Sequence, residues 1–148
     1  MDIIIKKFDE LTLNELYKIM QLRSQVFVVE QNCIYQDLDD IDKISYHLFI
    51  KGNNDMIKAY LRIFEKDKDI AQIGRVVTDE KERKKGYATK LMEKGIQLIK
   101  NEMKKNKVYL EGQVYCKDLY LKLGFEIISD EFLEDGIPHY KMIKILNQ

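Results

Sequence analysis

Hydrophobic and polar positions along the chain change rhythm several times, and each change marks an element. The isoleucine-rich start, Met1 to Phe8, predicts a short strand. Thr12 and Glu15 then stand at capping-box spacing, where the hydroxyl accepts an amide at the helix start and the carboxylate reaches back. Leu13, Leu16, Tyr17 and Met20 follow in steps of three, one and three, which predicts an amphipathic helix. The pattern leaves open whether this helix runs on through Val26-Phe27-Val28-Val29 or breaks there. Asp37 to Asp42 is acidic and reads as a loop. Tyr46 to Ile50 and Ile57 to Phe64 are strands joined by the turn-rich Gly52-Asn53-Asn54-Asp55, and Ile70 to Val77 is a third antiparallel strand. Ala88, Leu91, Met92, Gly95, Ile96 and Ile99 step by three and one, a core face for a long helix whose Lys90, Lys94, Gln97 and Lys100 point outward. Gly95 within that face costs about 1 kcal/mol relative to Ala, so it predicts a close approach to a strand. Val108 to Val114 is a strand. Asp118 to Leu123 is a short helix stopped by Gly124, and Phe125 to Ile128 and Tyr140 to Ile145 are the last strands. The sum is α+β with a mixed sheet.

Composition narrows the class. The 148 residues fit one compact domain, 1–148, and the 45% hydrophobic and 34% charged content is neither disordered nor membrane-like. Lys plus Arg and Asp plus Glu both number 25, so there is no basic excess to coat nucleic acid. No signal-peptide pattern precedes Ile3-Ile4-Ile5, and no run approaches the ~18 apolar residues of a spanning helix. Cys33 and Cys116 lie far apart and no ligand spacing occurs, so no metal is expected and a reduced, cytoplasmic setting is the default.

The candidate chemistry begins at Arg83-Lys84-Lys85-Gly86-Tyr87-Ala88, between a strand and the first turn of a helix. Free amides and the positive dipole end make such a place suited to phosphate, with Arg83, Lys84 and Lys85 as countercharge. Neither GxxxxGK[ST] nor GxGxxG occurs here, which excludes a Walker loop and a dinucleotide fingerprint.

Arg83-x-x-Gly86-x-Ala88 resembles the pyrophosphate loop of the Gcn5-related N-acetyltransferase (GNAT) superfamily. Leu119-Tyr120-Leu121-Lys122-Leu123-Gly124-Phe125, some thirty-five residues on, resembles its FYxKxGF segment with Leu for the first Phe. Val26 to Cys33, then Tyr35, Asp37, Asp39 and His47-Leu48, and Glu134-Asp135-Gly136-Ile137-Pro138-His139 resemble the ElaA-type branch. The resemblance spans nearly the whole chain. It implies a GNAT-like, mostly antiparallel central sheet flanked by helices, with a splayed pair of parallel strands. It also implies acetyl-CoA as co-substrate, held by Arg75, Val76 and Val77 along pantetheine and by Arg83, Lys84, Lys85, Gly86, Tyr87, Ala88 and Thr89 at the pyrophosphate. It names no acceptor amine, nor whether the protein is a monomer or a homodimer.

Amide formation sets two demands. An alkylammonium of pKa ~10.4 is neutral at pH 7 in only about one molecule in 2500, so a base or desolvation must free it. The leaving thiolate, of pKa near ~8.5, leaves more readily when protonated. The resemblance implies that Tyr120 supplies that proton. For the base, Glu111 on its strand and His139 after the only proline, in a loop that Pro138 makes rigid, rank ahead of Glu30. The leading expectation is direct transfer from acetyl-CoA to a primary amine of a small molecule or peptide. The alternatives are a CoA-binding module without turnover and an interaction module using the acidic 37–42 stretch.

Overall fold

The computed structural model describes residues 2–146; Met1, at the edge of the first expected strand, lies outside them. Eight strands form one sheet: β1 (Ile3–Lys7), β2 (Tyr46–Lys51), β3 (Ile57–Glu65), β4 (Ile70–Thr78), β5 (Lys107–Gln113), β6 (Glu126–Ile127), β7 (Phe132–Glu134) and β8 (Ile137–Ile145). Their order is β1-β2-β3-β4-β5-β8-β6, with β7 also on β8. Every pairing is antiparallel except β4 with β5.

Helix α2 (Tyr87–Asn101) covers one face. Leu91, Met92 and Ile99 are buried as their spacing predicts, against Leu48, Leu61, Ile63 and Ile73. Gly95 is the point of closest approach: a Cβ there would come within 2.9 Å of Ile63 Cδ1. The short helix α3 (Lys117–Lys122) lies on the same side and ends at Gly124, whose φ is +92. Helix α1 (Leu13–Arg23) covers the other face, capped by Thr12 and Glu15 as expected. It continues through Ser24–Glu30 as a wider π-helical segment, which answers the question the pattern left open.

Two expectations fail instructively. The buried side of α1 is Glu15, Ile19, Leu22 and Arg23, while Leu13 and Tyr17 are 88% and 66% exposed. Two charged residues occupy core positions, so a hydrophobic pattern finds the wrong face. The acidic 37–42 segment is not a solvated loop either. Arg23 binds Asp37 (2.8 Å) and Asp42 (2.6 Å), Arg62 binds Asp39 (2.7 Å) and Asp42 (3.0 Å), and Arg75 binds Asp37 (2.8 Å) and Asp39 (3.2 Å). Asp37, Asp42, Arg23 and Arg62 are all buried. Asp37, Asp39 and Asp42 are therefore engaged inside the fold, while Leu38 and Asp40 face solvent.

Candidate active site

Strands β4 and β5 pair only from Ile70–Gln72 to Lys107–Tyr109. Beyond that point they part, because β4 bulges. Tyr60 faces Val77 and Arg62 faces Gly74, so Arg75 and Val76 together oppose a single β3 residue. Arg75 takes φ +52, a conformation that costs a non-glycine residue on the order of 1–3 kcal/mol unless its surroundings hold it. The surroundings do: its guanidinium binds Asp37 Oδ1 and the Asp37 carbonyl and lies over the Tyr35 ring. The buried ion network thus fixes the bend that opens the sheet.

The opening is a cavity of about 470 Å³ passing between the two strands. Arg75, Val76, Val77, Arg83, Ala88, Glu111, Tyr120 and His139 line it, so the sequence brings together eight of its candidate residues. Lys84, Lys85, Gly86, Tyr87 and Thr89 stand outside its lining. The Tyr87 side chain is buried in the core, leaving only its amide for a ligand. Lys85 pairs with Glu82 at 3.2 Å. Gly86 takes φ +80 at the cap of α2, and a Cβ there would meet nothing within 4 Å. Its glycine answers to the left-handed backbone rather than to crowding. Arg83 is not a free countercharge: its two terminal nitrogens grip Glu30 at 2.6 and 2.8 Å, and its Nε donates to the Thr78 carbonyl. That grip holds Glu30 below the usual carboxylate range and removes it as a base.

The two faces of β5 divide the chemistry, since alternate residues point to opposite sides. On the α2–α3 face, Gly112 leaves room for the Tyr120 ring; a Cβ would lie 2.7 Å from its Cε2. Tyr120 is only 5% exposed, and among the described residues its phenol bonds no protein group, its oxygen opening on the cavity. Burial, with Cys116 beside it, pushes its pKa up, so it stays protonated at neutral pH.

On the other face stand Glu111 and Gln113, opposite Lys141 and His139 of β8. His139 is in a strand, not in a rigid loop as expected from Pro138. Its Nδ1–H donates to the Ile137 carbonyl at 2.7 Å, which leaves Nε2 facing Glu134 Oε2 at 3.5 Å. Glu134 is the site residue that sequence reasoning missed as a candidate. It lines the same opening as Glu111, from β7, and each carboxyl weighs on the other's protonation. Burial, then the influence of Glu111, pushes Glu134 up to about 7. Burial also acts upward on Glu111, but Glu134 and the bond from the Tyr109 hydroxyl (2.8 Å), with Lys141 and Lys66 nearby, bring it below the usual range. The signal was Asp135-Gly136, which makes the two-residue turn of a β7–β8 hairpin with φ +51 and +79.

His47, the other histidine, is structural. It is fully buried, its Nε2–H donates to the Asp42 carbonyl at 2.9 Å, and its Nδ1 accepts from the Tyr60 hydroxyl at 2.6 Å. Burial pushes its pKa down and keeps it neutral. Cys33 is buried, whereas Cys116 is only partly so; both line the cavity.

A family model described as an acetyltransferase (GNAT) domain matches residues 13–146. The UPF0039 protein of Schizosaccharomyces pombe is 42% identical over 143 residues, 96% of this chain and 95% of its own. The crystal structure of Escherichia coli ElaA is similar with a TM-score of 0.90 at 33% identity, covering 97% of this chain and 99% of that one. An acyl-CoA N-acyltransferase from Pseudomonas aeruginosa gives a TM-score of 0.89 at 35% identity, over the same shares. A sheet opened between its one parallel pair of strands, a glycine-capped helix beside the opening and these relatives agree: the chain belongs to the GNAT acetyltransferase superfamily, in its ElaA-type branch.

Proposed function

We propose that the protein moves an acetyl group from acetyl-CoA directly to a primary amine. The observation that carries this reading is the opening itself, with a partnerless phenol on one side and a carboxyl pair on the other. Among the described residues nothing pairs with 73–77 of β4 on the β5 side, so their backbone is free to bond pantetheine as a strand would. The pyrophosphate takes the amides of residues 84–88 at the start of α2, where three or four N–H groups lack helix partners. Backbone donors explain why Lys84 and Lys85 can point to solvent. Val76 and Val77 form the apolar flank, and Ala88 keeps the helix end slim.

In the reaction the amine lone pair attacks the thioester carbon, and the nitrogen yields its proton to the Glu111 carboxylate. A strand amide beside the opening steadies the oxyanion. As the C–S bond breaks, the Tyr120 phenol gives its proton to the sulfur and regains one from solvent. His139 holds the hairpin side of the site through Glu134. The measurement is thiol release from acetyl-CoA over a broad amine panel, with thermal melting on the same protein. Acetyl-CoA should raise the melting temperature while NAD and ATP do much less, since a native-state ligand stabilises by mass action. Tyr120→Phe should lower turnover within or below about 10²–10⁴-fold while acetyl-CoA still binds. No stabilisation by millimolar acetyl-CoA would end this reading, and full turnover in Tyr120→Phe would end the acid role.

A further inference from the structure

Both cysteines line the opening, but they are held differently. Cys33 is buried, and its Sγ–H donates to the Asp135 carbonyl at 3.2 Å, on the hairpin side. Cys116 is half-buried, and among the described residues its thiol bonds nothing. It ends the turn Val114–Cys116 and stands at the start of α3, so Tyr120 follows one helical turn further on. The Cys116 thiol lies close enough to bear on the protonation of the Tyr120 phenol. That phenol is nine-tenths buried, bonds no protein group and opens on the same cavity, which makes it a polar group aimed at a ligand. On the α3 side of the sheet a thiol and a phenol thus face one space, and neither has a protein partner.

We propose that Cys116 is a modification site: its thiol exchanges with the disulfide of CoA and keeps one CoA in the opening as a mixed disulfide. This rests on the reading of the opening as an acyl-CoA site, in which the Tyr120 phenol meets the CoA sulfur and so sets it beside a residue one turn away. The exchange balances. The Cys116 thiol loses its proton to solvent, and its sulfur attacks the sulfur of the docked CoA half. A new S–S bond joins Cys116 to that half, the old S–S bond breaks, and the leaving CoA thiolate takes up a proton. One disulfide is consumed and one is formed, so the CoA disulfide is the only oxidant required. The cavity reaches from Ala88 at the start of α2 to Glu111 and His139, so the leaving half has a way out on the acceptor side. Burial pushes the Cys116 thiol up, against the pull of Arg83, so at neutral pH it stays protonated and reacts slowly with a disulfide that merely collides with it. A disulfide docked through its nucleotide meets the thiol at high effective concentration instead. The product has its CoA sulfur blocked, and acyl transfer stops until a reducing thiol frees Cys116.

The test is incubation of the reduced protein with CoA disulfide, followed by intact-mass measurement and peptide mapping. Oxidised glutathione at the same concentration is the control, since it lacks the nucleotide. The protein should gain the mass of one CoA less the hydrogens of the two joined thiols, on the peptide that holds Cys116, and dithiothreitol should reverse the gain. The reaction should run at least about tenfold faster than with oxidised glutathione, and excess acetyl-CoA should slow it. Cys33→Ser should still form the adduct and Cys116→Ser should not. Mapping of the wild type locates the adduct even where a variant fails to fold. An adduct on Cys33, an adduct that survives in Cys116→Ser, equal rates with oxidised glutathione, or no adduct at millimolar CoA disulfide would overturn the proposal. Melting of the wild type with acetyl-CoA separates the two readings. Retained stabilisation without an adduct rejects the modification site alone, and lost stabilisation rejects the acyl-CoA reading of the opening.

Discussion

Two polar clusters border the same opening, and they are built to opposite rules. Around the 37–42 segment, three arginines and three aspartates interlock, and Tyr35 adds a bond of 2.8 Å to Asp37. Among the described residues only Arg62 Nε is a buried side-chain polar atom without a partner. Across the opening, Glu111, Glu134 and His139 gather two carboxyls and no paired cation. The first cluster is matched in charge, with Arg62 Nε alone left without a bond; it sets the bulge that opens the sheet. The second is unmatched and is therefore responsive. Residue type does not distinguish a structural charge from a functional one; the completeness of its partners does.

The sharpest way to break this comparison is to unbalance the matched cluster. Arg23→Met should cost about 3–5 kcal/mol, because Asp37 and Asp42 would each lose a cation while buried. Denaturant unfolding of the variant measures it. A loss near zero would mean that the remaining arginines compensate and that the network is not a matched unit.

The opposite should hold at the opening. Glu111→Gln keeps the shape and the bond from Tyr109, and it relieves the repulsion on Glu134. Turnover should fall by about 10²–10⁴-fold while unfolding stability stays level or rises. Turnover and unfolding on one preparation decide it, and a fall in stability like that of Arg23→Met would erase the contrast.

The sequence showed one cluster better than the other. The three antiparallel strands, the long helix and the Gly95 contact were legible because they follow from period and from the absence of a side chain; the place of β8 between β5 and β6 was not. Tyr120 and Ala88 were legible because two short motifs mark them. The ion network was not, since Arg23 and Glu15 look like surface positions on a helix and pair with residues far along the chain. Glu134 was quoted within a branch segment but given no role. Only the hairpin turn at Asp135-Gly136 carries it toward Glu111, an approach made across β8 and invisible in any local window. His139 lines the opening, but from a strand rather than from the rigid loop expected after Pro138.

A smaller effect sharpens the matched side. Tyr35→Phe removes one hydrogen bond to Asp37 Oδ1, which Arg75 still holds. The loss should be about 1 kcal/mol, read from denaturant midpoints, and small against Arg23→Met. A cost as large as that of the arginine would show that the tyrosine, not the charge matching, maintains the network.

The smallest effect is a difference of sign with pH. Glu15, held by Lys6, Lys51 and the Thr12 amide, and Asp39, held by Arg62 and Arg75, both lie down near about 2 in the native state. Carboxyls lowered in this way add stability that is present above their ordinary values of 4.5 and 3.8 and is lost as pH falls toward about 2. Glu134 runs the other way. Its native value is raised to about 7, so between 4.5 and 7 the unfolded chain ionises this carboxyl while the native pair keeps its proton. Stability from this group therefore declines as pH rises through that window. The half-exposed side chain is screened, so Glu134→Gln should recover only roughly a few tenths of a kcal/mol near pH ~7 and nothing near pH ~4. Unfolding midpoints of the wild type and of Glu134→Gln across that range give the difference curve. A curve that rises from pH ~4 to ~7 matches an unmatched pair holding a proton, and a flat or falling one would place Glu134 among the ordinary surface carboxylates.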